Sequence, residues 1–453
     1  MRAITRFTAS QEPVVIFWFR RDLRTEDNRG LAKAAGSGHR VLPLFVFDTD
    51  ILDRFDKDHP AVTVMCKSLA DLDSQIRKAG SALIAFIGTT AKVIQHLVKS
   101  LNVSAVYANE DFEPEGKRVE GEVRDVLRDA GVPLHLSTDH LIFRPGKIVK
   151  DDGTPYRVYG HFRRRWLKAF ESEAMSPTRE MTEARWFKPV DAGITRFTPK
   201  IAGFQEANTV ITDPLLNRER LLQYQNRRDY PAADGTTRAG QSLRFGTISI
   251  RKITGLASRY SKTLLDELIW REFFMNILFH FPHAESGSFK QGYSSIRWRN
   301  SEDHFMRWCE GTTGFPLVDA GMRELKETGY MHNRVRMITA SFLTKNLLTD
   351  WQWGEAWFAS RLSDFELSSN NGNWQWVAGT GCDAAPYFRV FSPAAQQIKF
   401  DRRGEYTSKW VPEAGSDSYP APIIDEKQTR KAAVEAYREA LSKYKGERSN
   451  SRE

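Results

Sequence analysis

Hydrophobic and polar positions divide the chain into two unlike halves. Up to about residue 140, short apolar runs alternate with amphipathic stretches. Val14–Phe19 (VVIFWF), Val41–Phe47 (VLPLFVF), Ala82–Ile87, Ser104–Ala108 and Val132–Leu136 predict five strands. Helical spacing separates them. Leu31–Ala35 is short, Val62–Lys78 gathers Val64, Leu69, Leu72 and Ile76 on one side, and Ala91–Leu101 and Gly121–Ala130 follow. Strands alternating with helices predict an α/β domain built on a doubly wound parallel sheet. After about Arg218 the alternation stops. Thr263–Phe281, Met331–Leu348 and Gly354–Leu362 predict helices, so the larger C-terminal domain is all-α. The expected boundaries are residues 13–140 for the α/β domain, 141–214 for a partly helical connector and 215–440 for the helical domain. Beyond about Lys427 the tail is charged and its Ser/Arg/Glu end is expected to fray.

Composition narrows the class. A chain of 453 residues exceeds what one hydrophobic core holds, and its 41% apolar content allows a large folded body. It has no run of about 18 apolar residues, so no membrane span is expected. MRAITRFTASQEP carries no apolar signal core. Cys66, Cys309 and Cys382 are scattered, with no metal-type pair, which fits a reducing cytoplasmic setting. A net charge of +9 favours a polyanionic partner, and the 12 tryptophans offer faces on which bases stack.

Four stretches carry candidate chemistry. Asp364–Phe388 (DFELSSNNGNWQWVAGTGCDAAPYF) sets two acids, paired asparagines and two tryptophans among small residues. Acids and amides suit the polar edge of a planar heteroaromatic ligand, glycines allow close approach and indoles stack. The plainer alternative is a Gly-rich turn beside two core tryptophans. Gly235–Gly240 (GTTRAG) offers backbone amides, hydroxyls and one cation for phosphates, or is an ordinary surface turn. It is not a nucleotide-hydrolysis motif, and no GxGxxG follows the first strand. Glu267, Trp270 and Arg271 share one face of their helix, as do Asn333 and Met337 of theirs, with Arg334 and Arg336 flanking. Each could equally be a mixed helix face.

The order of these pieces resembles the photolyase/cryptochrome family over nearly the whole chain. WFRRDLRTEDNRGL (Trp18–Leu31), TTRAGQSLRFGTIS (Thr236–Ser249) and ELIWREF (Glu267–Phe273) begin the likeness. TGFPLVDAGMREL (Thr313–Leu325), GYMHNRVRMITASFLTK (Gly329–Lys345) and NNGNWQWVAGTGCDAAPYFRVFSP (Asn370–Pro393) complete it. It looks most like the bacterial members that repair cyclobutane pyrimidine dimers.

The resemblance implies FAD, active as FADH−, inside the helical domain. Its phosphate turn matches Thr236, Thr237 and Arg238, with Tyr224 upstream. Many relatives have serine where this chain has Gly240, and Ser242 stands nearby. Arg271 belongs to the cofactor set. The flavin-edge positions match Asp364, Glu366 and Asn370, Glu366 being longer than the usual Asp. Arg336 matches the arginine that pairs with Asp364, and its charge favours an anionic flavin. Asn at position 370 is the photolyase-like choice, where plant cryptochromes usually carry Asp. The lesion pocket matches Glu267, Trp270, Asn333, Met337 and Trp376, with Arg228 near DNA. Trp374, Trp351 and Trp298 match the family's electron-transfer chain. An antenna chromophore (methenyltetrahydrofolate, a deazaflavin, another flavin, or none) is left open: where folate-binding relatives tend to show an Asn-Glu pair, this chain has Asn109-Glu110 and then Glu115-Gly116. Implied are light-driven dimer repair in UV-damaged DNA, no metal, no membrane and a monomer. The alternative is a blue-light photoreceptor without repair activity. Relatives that repair (6-4) lesions carry a His-His pair where this chain has His332-Asn333, so cyclobutane dimers are the expected substrate.

Overall fold

The computed structural model describes residues 1–5, 12–172, 184–188 and 196–450. Six strands form one sheet: β1 (Arg2–Ala3), β2 (Val14–Phe19), β3 (Arg40–Asp48), β4 (Ile84–Gly88), β5 (Val103–Asn109) and β6 (Leu134–Ser137). Their order is β1-β4-β3-β2-β5-β6. Every pair is parallel except β1 with β4. The five expected strands are present, Val14–Phe19 with the expected bounds and the other four with shifted ends. The antiparallel β1 is an addition, since two residues leave no periodic signal.

Every residue of β2 is buried because both faces of the sheet are covered. Val15, Phe17 and Phe19 pack with the Arg29–Ala35 and Pro60–Lys78 helices on one side. Val14, Ile16 and Trp18 pack on the other with the Thr90–Ser100 and Pro114–Asp129 helices. The last of these starts well before the expected Gly121, because Pro114 opens its first turn.

The helical part is built around Lys262–His280, most of whose residues are buried. The helix expected over Met331–Leu348 is interrupted. It is α-helical over Asn333–Ser341 and continues as a π-helical turn over Phe342–Asn346. Such turns leave no mark in hydrophobic spacing. The connector contains the Tyr159–Ser172 helix, which packs Phe162 and Trp166 into the core of the helical part. The charged tail forms the Glu426–Asn450 helix, which buries Ala433, Tyr437 and Ala440. Residues 451–453 of the end expected to fray lie outside the described residues. Among the described residues, no helix is long and apolar enough to cross a membrane.

Buried ion pairs join the two parts. Arg24 donates to Asp139 at 2.6 Å and to the Gly246 carbonyl at 3.0 Å. Arg251 donates to Asp139 at 2.8 Å and to Asp27 at 3.0 Å. Burial alone would push the Asp139 carboxyl up, but Arg24 and Arg251 together hold it below its ordinary value. Arg21 reaches Asp111 at 3.2 Å, Glu113 at 3.3 Å and Glu366 across the boundary. Gly246 makes this approach possible. Its φ is +64°, and a Cβ there would lie 2.0 Å from the Arg21 carbonyl.

Replacing Arg251 by leucine takes one buried cation from Asp27 and Asp139, leaving Arg24 on Asp139. The expected loss is about 3–5 kcal/mol of stability, measured as a shift in the urea unfolding midpoint. An unchanged midpoint would show that Arg24 alone carries the site.

Candidate functional site

Two adjoining cavities lie among the Arg218–Arg227, Lys262–His280, Asn333–Ser341, Trp351–Arg361 and Leu367–Ala378 helices. The inner one, about 90 Å³, is lined by Arg336, Asp364, Glu366, Asn370 and Trp374 among others. The outer one, about 590 Å³, opens to solvent between Arg228, Glu267, Trp270, Arg271 and Trp376. Asn333, Met337, Ser369 and Asn373 line both. The sequence grouped Asn333 with Met337, and Glu267 with Trp270 and Arg271, and the fold brings both groups together.

Local packing fixes these side chains. His332 caps the Asn333–Ser341 helix, its Nδ1 accepting from the Arg334 N–H at 3.2 Å. Leu367–Ala378 carries Asn370, Trp374 and Trp376 and ends at Gly379, φ +86°. Its glycine lets it press close to its neighbour: a Cβ on Gly372 would lie 2.3 Å from the Phe274 ring. Likewise a Cβ on Gly354 would meet Trp374 at 2.2 Å. Beyond the helix, Lys345 of the π-helical turn is fully buried. It donates to the Ala378 carbonyl at 2.7 Å and the Tyr387 carbonyl at 3.2 Å. It thus answers the unsatisfied C-terminal end of the indole-bearing helix.

The electrostatics of the inner cavity suit the edge of a heteroaromatic ring. Arg336 donates to Asp364 Oδ2 at 2.9 Å and to the Met331 carbonyl at 2.7 Å. Asp364 Oδ1 is buried with no hydrogen-bond partner in the structure. One guanidinium and one free carboxylate oxygen offer a donor and an acceptor for a ring imide. Glu366 is placed differently from Asp364. Arg271 grips both its oxygens, at 2.7 and 2.9 Å, while Arg21 and Ser369 also donate to it. Burial opposes ionisation here, yet Arg271 and Arg21 hold the carboxyl below its ordinary value. Glu366 therefore lines the cavity with its oxygens already engaged. Asn370 donates to Glu355 at 2.8 Å, and burial pushes that carboxyl up to about 7.

In the outer cavity Arg228 is paired with Glu267, and Arg334 donates to Asp229 at 2.8 Å. Trp270 and Trp376 are half-buried, each with area left for a ligand. Sequence reasoning missed Gln225, Asp229, Thr263 and Phe274 of this lining. Asp229 follows Arg228 directly, so an acid beside a candidate arginine was the available signal.

The remaining candidates lie around the cavities. Thr236, Thr237 and Arg238 form the turn before the Gly240–Phe245 helix, steadied by Arg220 donating to the Thr236 carbonyl at 2.9 Å. This turn abuts the inner cavity through Gly240, where a Cβ would lie 2.4 Å from Asp364 Oδ2. The missing side chain is therefore space that Asp364 uses. Tyr224 is buried beneath Arg228, and Ser242 is buried within its helix. Trp351 and Trp374 are buried in one hydrophobic cluster, and half-buried Trp298 packs against it. His332 is buried off the cavity lining, and burial lowers its imidazole to about 4. Among the described residues no group of His, Cys, Asp or Glu is placed to hold a metal ion.

A separate crevice of about 660 Å³ opens beyond the carboxyl ends of β5 and β6, lined by Arg29, Lys33, Glu110 and Arg144. Glu110 faces it and pairs with Arg144 at 3.0 Å. Asn109 turns inward, donating to Asp22 at 2.6 Å and Asn28 at 2.8 Å. The two members of the pair noted in the sequence thus point to different surroundings.

The family model described as DNA photolyase matches residues 15–182, and that described as FAD binding domain of DNA photolyase matches residues 264–417. The deoxyribodipyrimidine photo-lyase of Vibrio cholerae is 33% identical, over 94% of this chain and 99% of its own length. An archaeal photolyase from Sulfolobus tokodaii, solved with two FAD molecules, superposes with a TM-score of 0.81 at 32% identity, covering 94% of this chain and 99% of that one. A Synechocystis cryptochrome superposes at 0.83 with 26% identity, covering 95% and 100%.

The raised Glu355 carboxyl has a measurable sign. Between pH 4.5 and about 7 the folded protein keeps a proton that the unfolded chain has released. Its contribution to stability therefore falls as pH rises through that window. Urea unfolding at pH 5 and pH 7 should show this loss in the wild type and a flatter response in Glu355→Gln. Equal slopes in both proteins would mean that Glu355 titrates normally.

Proposed function

The chain belongs to the DNA photolyase family, and from that premise we propose that it repairs cyclobutane pyrimidine dimers in UV-damaged DNA with light. The observation that carries the reading is the pairing of cavities: an indole-walled outer one opening onto an inner one with an Arg336–Asp364 edge. FAD is its cofactor. When bound and reduced as FADH−, FAD supplies on blue or near-UV excitation the electron that opens the cyclobutane ring and afterwards takes it back.

The chain's own residues then bind and tune. Arg336 and Asp364 hold the ring edge, and the Arg336 charge favours the anionic form. Asn370 stands at the same edge. Thr236, Thr237 and Arg238 serve the phosphates, with Tyr224 and Ser242 beside them. Arg271 acts through Glu366, whose oxygens it occupies. A dimer flipped out of the duplex stacks on Trp270 and Trp376, which offsets its lost pairing. Glu267 hydrogen-bonds the lesion, leaving Arg228 to turn to a phosphate. Asn333 and Met337 complete the pocket between lesion and cofactor. Trp374, Trp351 and Trp298 pass electrons inward from the surface.

The proposal takes residues 13–140 as the α/β antenna domain, 141–214 as the connector and 215–440 as the FAD- and DNA-binding domain. The FAD-binding family model matches 264–417, inside the proposed third segment, while the photolyase model matches 15–182 and so runs on into the connector. It has the protein act as a monomer in the cytoplasm, in keeping with three free cysteines, two of them buried. An antenna chromophore would belong in the β5–β6 crevice. The second reading, a photoreceptor without repair, draws on the likeness to the Synechocystis cryptochrome.

Illuminating the reduced holoprotein with dimer-containing duplex should deplete the dimer, while a (6-4) duplex in the same tube persists. His332 is buried, weakly basic and off the lining, and among the described residues no histidine lines either cavity to move the proton that a (6-4) lesion requires. No dimer loss would favour the photoreceptor, and reversal of the (6-4) duplex would demand another acid.

Trp374→Phe should retain FAD, photoreduce oxidised FAD slowly, and still repair once reduced chemically. Wild-type photoreduction kinetics in this variant would make Trp374 a packing residue.

A further inference from the structure

One aromatic contact beside the outer cavity belongs to no role assigned above. Tyr159, from the connector, lies flat on Trp270 with ring centroids 3.6 Å apart and planes 8° from parallel. Aromatic pairs left to themselves prefer offset or edge-to-face arrangements over such a sandwich. Three anchors hold this one. The Tyr159 hydroxyl donates to the Asp266 carbonyl at 2.9 Å, and Arg163 pairs with the Asp266 side chain at 2.6 Å. The Tyr159 N–H, at the start of the Tyr159–Ser172 helix, donates to Asp383 Oδ2 at 2.9 Å.

Asp383 is itself constrained. Its φ is +26°, a region non-glycine residues rarely adopt. It lies in the loop that follows the helix carrying Trp376. That loop has a second tie to the connector, the Cys382 thiol donating to the Arg157 carbonyl at 2.9 Å. Backbone held in an unfavourable region persists only where its surroundings over-determine it. Here the surroundings tie the connector behind one indole to the loop beyond the other.

We propose that Tyr159 is a positioning residue that backs Trp270, and that Asp383 clamps it there, so that the free face of Trp270 is pre-set relative to Trp376. This rests on the reading of Trp270 as a lesion-stacking residue. With one face covered by Tyr159, Trp270 has the other to offer a base. Its χ freedom is spent before the lesion arrives, which lowers the ordering cost of binding.

The test titrates dimer-containing and undamaged duplexes onto FAD-loaded protein in the dark. Tyr159→Leu should weaken dimer binding about three- to tenfold, the range of an aromatic pair, with undamaged-duplex affinity and FAD absorbance unchanged. Tyr159→Phe keeps the ring but loses the hydroxyl anchor to the Asp266 carbonyl, and should weaken dimer binding less than Tyr159→Leu. In a Trp270→Ala background, Tyr159→Leu should cost nothing more, because the indole it orients is gone. Asp383→Gly, which relieves the backbone while removing the acceptor, should weaken dimer binding in the same sense, and Asp383→Asn should restore it. Undiminished dimer preference in Tyr159→Leu overturns the clamp. So does equal weakening on both duplexes, or a loss that adds to that of Trp270→Ala. A wild-type protein with no preference for the dimer overturns the lesion reading, and the clamp with it.

Discussion

Glu366 is the charge on which the site depends. Its carboxylate sits where three parts of the chain meet: Arg21 from the end of β2, Arg271 from the central helix, and Ser369 one turn along its own helix. A buried carboxylate is costly unless its partners are fixed, and removing one partner costs far more than the pair contributes. The network therefore acts less as a source of stability than as a registration device. The inner cavity can exist only when sheet and helices are docked in one arrangement. Arg24, Arg251, Asp27 and Asp139 repeat the device a short distance away. Inner cavity and domain docking thus share their electrostatics.

Close approach is the second constraint. Gly354, Gly372 and Gly240 are not turn residues here. Each removes a Cβ where a ring or carboxylate must press in: Trp374, Phe274 and Asp364 respectively. Trp374 and Asp364 of the inner cavity and Phe274 of the outer one are thus set by backbone spacing.

Much of this was legible in the chain. The strands of the α/β domain announced themselves as apolar runs because both faces of the sheet are covered. Pairs such as Asn333 and Met337 were readable because i,i+4 spacing on a helix is local geometry. What escaped was whatever depended on long-range partners. Glu267 and Arg271 suggest a pair by spacing, but the fold gives Glu267 to Arg228 and Arg271 to Glu366. The π-helical turn at Phe342–Asn346 escaped because Lys345 reads as an exposed cation until the carbonyls it caps are known. Tyr159 escaped because its partner Trp270 lies more than a hundred residues away. The charged tail read as loose end because its buried face is sparse: Ala433, Tyr437 and Ala440.

That tail has a mechanical meaning. Tyr437 meets Trp298 at 5.8 Å, stacks parallel to Tyr387, donates to the Ala378 carbonyl at 2.7 Å, and lies 3.6 Å under the Lys345 ammonium. A single ring on the last helix thus touches Trp298 and the end of the helix that carries Trp374 and Trp376. The helix behaves as a lever with its fulcrum inside the protein. A domain fused beyond it would be joined to the aromatic interior by a rigid rod, so torque or docking at the far end would be felt at Trp298. The last helix is thus the element through which the far end of the chain bears on the aromatic interior.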